Sequence, residues 1–115
     1  MTITTHVLDT ARGRPAAGIP ITLDFKGPAG WERRGSGATD ADGRLRTLVA
    51  QAEGAPPLAA GVYRITFDTG AYFAAQKVEG FYPEVTVVFE VRDASAHYHV
   101  PLLVSPYGYS TYRGS

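Results

Sequence analysis

Alternation with a period of two residues is the feature that most narrows what this chain can become. From Ile19 to Phe25, Ile19, Ile21, Leu23 and Phe25 alternate with polar or small neighbours, and Gly61 to Phe67 sets Tyr63, Ile65 and Phe67 against Val62, Arg64 and Thr66. Successive side chains of a strand point to opposite faces, so such runs read as strands with one buried face. Gly, Pro and Asp separate the runs, the pattern of a sandwich or barrel of short strands. Thr4 to Leu8, Glu84 to Val91 and His97 to Val104 read as further strands, and Trp31 to Ser36 as a short edge strand with a charged face. Tyr107 to Arg113 is expected to pair with the His97 segment across Ser105-Pro106. Ala71 to Val78 contains neither Gly nor Pro and is the candidate helix, about two turns long.

The connections carry their own chemistry. Ala11 to Gly18 holds Gly13, Pro15 and Gly18 and reads as a turn rather than a helix. In Thr39-Asp40-Ala41-Asp42-Gly43-Arg44 the aspartates can bond nearby backbone amides and Gly43 adopts positive φ cheaply, so Arg44 emerges at a fixed point. A Pro-rich link follows at Pro56 and Pro57, and no internal repeat is visible.

A chain of 115 residues, 44% apolar and 19% charged, suits one compact domain covering 1–115 and argues against disorder over its bulk. Eleven basic and eleven acidic residues give a formal net charge of +0, so no broad field exists to recruit nucleic acid or an anionic membrane. A small molecule or a second copy of the chain is the expected partner. The absence of cysteine removes disulfides, thiolate metal sites and cysteine nucleophiles. With no basic head followed by an apolar run and no long apolar segment, neither a signal peptide nor a membrane span is expected, and a cytoplasmic location is.

The chemistry is concentrated at the end of the chain. Of three histidines, two form His97-Tyr98-His99, and the chain closes on Tyr112-Arg113-Gly114-Ser115. Disordered tails are poor in aromatics, whereas Pro106 to Ser115 carries Tyr107, Tyr109 and Tyr112, so it reads as a folded strand delivering polar groups to a site. His97 and His99 share one face of their strand, with Tyr98 and Val100 on the other. They are surface or interface histidines, general bases, or, with His6, a zinc site with an open fourth position. Arg44 counts against a cation, because a permanent positive charge raises the cost of binding one. Asp9, Asp40 and Asp42 are assigned to structure. No Gly-x-Gly-x-x-Gly or Gly-Lys-Ser/Thr string is present, so nucleotide binding is unsupported.

Thr5-His6-Val7-Leu8-Asp9-Thr10, the Asp42-Gly43-Arg44 turn, His97-Tyr98-His99-Val100-Pro101-Leu102-Leu103 and the Tyr107 to Ser115 terminus together resemble the 5-hydroxyisourate hydrolases, the transthyretin-like enzymes of urate breakdown. Gly13-x-Pro15-Ala16 and Gly80-Phe81-Tyr82-Pro83-Glu84 are similar to the family as well, and the resemblance spans nearly the whole chain. Tyr-Arg-Gly-Ser at the terminus separates these hydrolases from the hormone-carrying transthyretins of the same fold.

The resemblance implies an all-β sandwich of two four-stranded sheets with one short helix. It also implies a homotetramer, a dimer of dimers, with sites in a channel between subunits. Carried over, the family's catalytic group falls on His6, Arg44, His99 and Ser115, and its substrate-binding group on His6, Arg44 and Tyr112, with no metal and no cofactor. The implied reaction opens the ring of 5-hydroxyisourate at an amide-like carbon–nitrogen bond to give 2-oxo-4-hydroxy-4-carboxy-5-ureidoimidazoline. Which histidine is the base, whether Ser115 acts through its hydroxyl or its terminal carboxylate, and the role of His97 stay open. The alternative reading is a transthyretin-like carrier of a small ligand without catalysis; a zinc hydrolase and a structural adaptor follow it.

Overall fold

The alternating segments fold as two packed β-sheets in the computed structural model, which describes residues 2–49 and 58–115. In chain order the elements are β1 (Thr2–Asp9), β2 (Arg14–Pro15), β3 (Pro20–Gly27), β4 (Gly30–Ala38), β5 (Arg44–Leu45), β6 (Gly61–Phe67), α1 (Thr69–Ala75), β7 (Val85–Val91), β8 (His97–His99), β9 (Leu102–Ser105) and β10 (Gly108–Thr111). Antiparallel pairing orders one sheet β4-β3-β6-β7. The other runs β10-β9-β1-β2, with β8 and β5 also on β1.

β1 is the axis of that second sheet. Along one side it pairs in parallel with β8 and then β9, and along the other it pairs antiparallel with β5 and β2. The backbone bonds separate accordingly: Val7 exchanges bonds with Gly43 and Ala16, while Thr4 accepts from Val100 and Thr10 donates to Val104. Six short segments therefore occupy four strand positions, and the sandwich of two four-stranded sheets implied by the resemblance is present.

The core lies between the sheets. Ile3, Val7, Ile21, Leu23, Tyr63, Ile65, Phe67 and Leu102 are sealed from solvent, and they are the alternate residues of their strands. Asp9 joins them as a structural group: Oδ1 accepts from the amides of Ala11 and Arg12, and Oδ2 accepts the Tyr72 hydroxyl at 2.7 Å. The Ala11 to Gly18 turn holds one further short pairing, β2.

Two expectations shift. The segment from His97 to Val104 is two strands, because Pro101 has no N–H to give to a ladder. Hydroxyls of Thr5 and Thr111 take up the carbonyls of Val100 and Pro101 at 2.6 and 2.7 Å. The helix begins and ends earlier than Ala71 to Val78. Asp68 caps it by accepting from the Ala71 amide at 3.0 Å. Lys77, at φ +59°, closes it with Val78 N–H on the Phe73 carbonyl and Lys77 N–H on that of Ala74. Pro56 and Pro57 lie outside the described residues. Among the described residues no helix is long and apolar enough to cross a membrane.

Candidate functional site

The pleat of three paired strands decides which polar groups meet. On β1, Ile3, Thr5, Val7 and Asp9 are buried, so Thr2, Thr4 and His6 take the opposite face. Tyr98 and Val100 are buried likewise, as is Leu45, which turns His97, His99 and Arg44 outward. Register then sets Thr2 beside His97, Thr4 beside His99 and His6 beside Arg44.

Arg44 is fixed by the turn before it. Asp40 Oδ1 accepts from the amides of Asp42 and Arg44, both at 2.9 Å, and the Asp40 carbonyl accepts from Gly43 at 2.9 Å. The Arg44 amide, more than any other group, holds the Asp40 carboxyl below the usual carboxylate range. Gly43 sits at φ +75°, and a Cβ there would run into the Val7 carbonyl, so the turn admits only glycine. These aspartates are structural, as the sequence suggested.

The terminus is pinned at two successive residues. The Arg113 guanidinium lies 4.6 Å from the centre of the Tyr98 ring, and the Gly114 amide donates to the His99 carbonyl at 2.8 Å. A Cβ on residue 114 would stand 2.6 Å from His99 Cδ2, so glycine is what lets the tail lie against that imidazole. Ser115 is thereby delivered to a cleft of about 380 Å³ that Thr2, Thr4, Arg44, Arg46, His97 and His99 also line.

Within the cleft, His99 Nδ1 is 2.8 Å from Thr4 Oγ1. Burial, followed by the charges of His97, His6 and Arg44, pushes the His99 pKa below its ordinary value of 6.5, which favours a neutral imidazole near pH 7. His6 stands beside this cleft rather than in its lining, and its Nε2–H donates to the Asp42 carbonyl at 2.9 Å. The histidine rings do not converge as zinc ligands would: those of His97 and His99 stack at 13° with centroids 6.4 Å apart. Among the described residues no three His, Cys, Asp or Glu side chains form a group that could hold a metal ion.

Tyr112 is placed elsewhere. It is 56% exposed, so it is not sandwich core, and it lines a second groove with Val88, Tyr98 and Val100 rather than the histidine cleft. Thr2, Thr4 and Arg46, which the sequence reading passed over, do line that cleft. Counting back in twos from His6 would have found both threonines.

A two-sheet sandwich that carries histidines, an arginine and the chain terminus on the outer face of one sheet defines a transthyretin-like domain with a polar cleft. The chain belongs to the HIUase/Transthyretin family, which it matches over residues 3–114. It is 45% identical over 113 residues to the 5-hydroxyisourate hydrolase of Salmonella dublin, covering 98% of this chain and 80% of that one. Among solved structures, the 5-hydroxyisourate hydrolase of Klebsiella pneumoniae superposes with a TM-score of 0.84 at 38% identity, covering 99% of this chain and 98% of that one. Sea bream transthyretin in complex with thyroxine superposes with a TM-score of 0.85 at 33% identity, covering 97% and 93%. The fold alone therefore does not separate enzyme from carrier.

Proposed function

We propose that this protein hydrolyses 5-hydroxyisourate in urate breakdown, as its named relatives do. The observation that carries the reading is the gathering of Arg44, His97, His99 and Ser115 in one cleft. Water adds to the ring carbonyl, the carbon–nitrogen bond breaks, the ring nitrogen leaves with a proton, and the product is 2-oxo-4-hydroxy-4-carboxy-5-ureidoimidazoline.

His99 takes the proton from water in this mechanism, because it lines the cleft and its depressed pKa keeps it unprotonated near neutrality. Arg44 binds the anionic substrate and stabilises the negative charge that develops on the carbonyl oxygen; loss of one such donor costs about 3–4 kcal/mol. His6, oriented by the Asp42 carbonyl, supports Arg44 from the adjacent strand. Ser115 brings its hydroxyl to the cleft to orient the water or the substrate. A carrier of an apolar ligand gains little from so many ionisable and hydroxyl groups on its walls.

The working form in this reading is a homotetramer, a dimer of dimers. Tyr112 enters the site only through that assembly, since within one chain it faces the neighbouring groove. The test is the ultraviolet decay of 5-hydroxyisourate, freshly generated from urate, with wild type, His99→Ala and a chelator-treated sample in parallel. Acceleration lost in His99→Ala and kept after chelation is the expected result. A folded wild type that does not accelerate the decay overturns the reading and puts the carrier in its place.

A further inference from the structure

The Thr4 hydroxyl stands between two imidazoles. Because β1 and β8 run parallel with Thr2 opposite His97 and Thr4 opposite His99, one face presents a ladder of alternating threonine and histidine. Thr4 Oγ1 is 2.8 Å from His99 Nδ1 and 3.4 Å from His97 Nε2, and His97 Nδ1 is bonded in turn to the Thr2 hydroxyl.

A neutral imidazole has one donor and one acceptor nitrogen, and a hydroxyl donates once. With both rings neutral and the Thr4 hydrogen given to one of them, the ladder runs in one of two directions. In the first, His99 Nδ1–H donates to Thr4, Thr4 donates to His97 Nε2, and His97 Nδ1–H donates to Thr2. His99 Nε2 is then a lone pair. In the second every bond is reversed, His99 Nε2 carries the hydrogen, and the ring has no basic atom left to offer.

We propose that Thr4 is a positioning residue for His99: its hydroxyl accepts the Nδ1–H, holds the tautomer whose Nε2 receives the proton from water, and passes the bond on to His97. The inference rests on the hydrolase reading, which is what calls for a base at that atom. It also gives His97, whose ring is exposed, a part in the site without contact to the reacting atoms. The other titratable or charged side chains near His99 are His6 on β1, Arg44 on β5 and Arg46 just beyond it. None of these is the partner of Nδ1: the Thr4 hydroxyl stands 2.8 Å from it, and the Thr4 backbone also favours the protonated ring.

The experiment is nitrogen NMR of the full chain labelled at histidine, with Thr4→Val and Thr4→Ser beside the wild type. Valine keeps the β-branched shape that suits a strand and removes only the hydroxyl's bond. In the wild type, His99 should show a protonated Nδ1 and a bare Nε2. An N–H donor binds oxygen more strongly when its ring is charged. Losing the acceptor in Thr4→Val should therefore lower the His99 pKa, by about half a pH unit. The same variant should mix the tautomers and reduce kcat/KM about tenfold, mainly through kcat. Thr4→Ser should restore all three.

A wild-type His99 carrying its proton on Nε2, or a pKa that rises in Thr4→Val, overturns the proposal, since a hydroxyl that donates to Nδ1 opposes protonation there. The NMR readout needs no substrate. The predicted tautomer in a protein that fails to hydrolyse 5-hydroxyisourate would therefore uphold the ladder and sink the function, whereas hydrolysis with the other tautomer would sink the ladder alone.

Discussion

Gly114 is held to glycine by the ring of His99, not by its own backbone. A Cβ at 2.6 Å from Cδ2 must move either the imidazole or the tail, and both belong to the cleft. Gly114→Ala is therefore expected to lower kcat/KM by about 10²-fold, the cost of a misplacement of roughly 1 Å, while the melting temperature changes little, because the buried core lies elsewhere. Side-by-side kinetics and thermal melts check this, and an alanine variant with full activity would show that the tail need not touch His99. Arg44→Lys keeps the charge but loses the planar fork; kcat/KM should fall about 10²- to 10³-fold with the fold intact by circular dichroism. The depressed His99 pKa has two consequences whose signs agree. The acid limb of the activity profile should fall below the ordinary imidazole value of 6.5, and a limb above it would contradict His99 as base. In the folded state His99 resists a proton that the unfolded chain accepts. Stability should therefore decline as pH falls through the unfolded value toward the lower folded one, and His99→Asn should flatten that part of the melting profile.

At the scale of elements, one buried carboxylate ties three strands together. Asp24 follows the irregularity at Leu23/Asp24 in β3 and is 4% exposed. It accepts Arg33 of β4 at 2.8 Å and Arg64 of β6 at 3.0 Å. Burial pushes its pKa up, but the hydrogen bonds and charges of Arg33 and Arg64 together outweigh this and bring it below 3.8. A depressed carboxylate stabilises the fold above its unfolded pKa and loses that contribution as pH falls through the folded one. Asp24→Asn should therefore cost about 1–3 kcal/mol at pH 7, and the gap to wild type should close in strong acid, as urea unfolding at the two pH values would show. None of this pairing was legible in the sequence, where Asp24 was only a polar position in an alternating run. Period and punctuation did reveal β3, β4, β6, β7 and the pairing of β10 with β9. They missed the effect of Pro101 on the last long strand, because a loss of ladder bonds shows only against a partner. They also missed that Asp68, outside the Gly-free stretch, starts the helix.

For the molecule as a whole, the residue types of the cleft were readable and their meeting was not. Sequence spacing put His97 and His99 on one face, and the Asp40 turn announced Arg44, but only the parallel pairing of β1 with β8 brings Thr4 to His99. Assembly is the part a single chain shows least. β10 and β7 are edge strands of their sheets. On or near them Tyr109, Tyr112 and Val88 remain 45%, 56% and 58% exposed. Exposed aromatics beside open strand edges invite pairing with another copy unless something covers them. If a second copy covers this region and thereby brings Tyr112 to a cleft, association and catalysis are coupled. Tyr112→Asp places a charge where the interface would be dry, so it should shift sedimentation toward smaller species. Its activity per chain should fall on dilution at concentrations where the wild type is constant. Sedimentation velocity and rates over the same dilution series test both together. Reduced activity in a variant that sediments as wild type would assign Tyr112 to substrate contact alone, and unchanged sedimentation with unchanged activity would remove it from both roles.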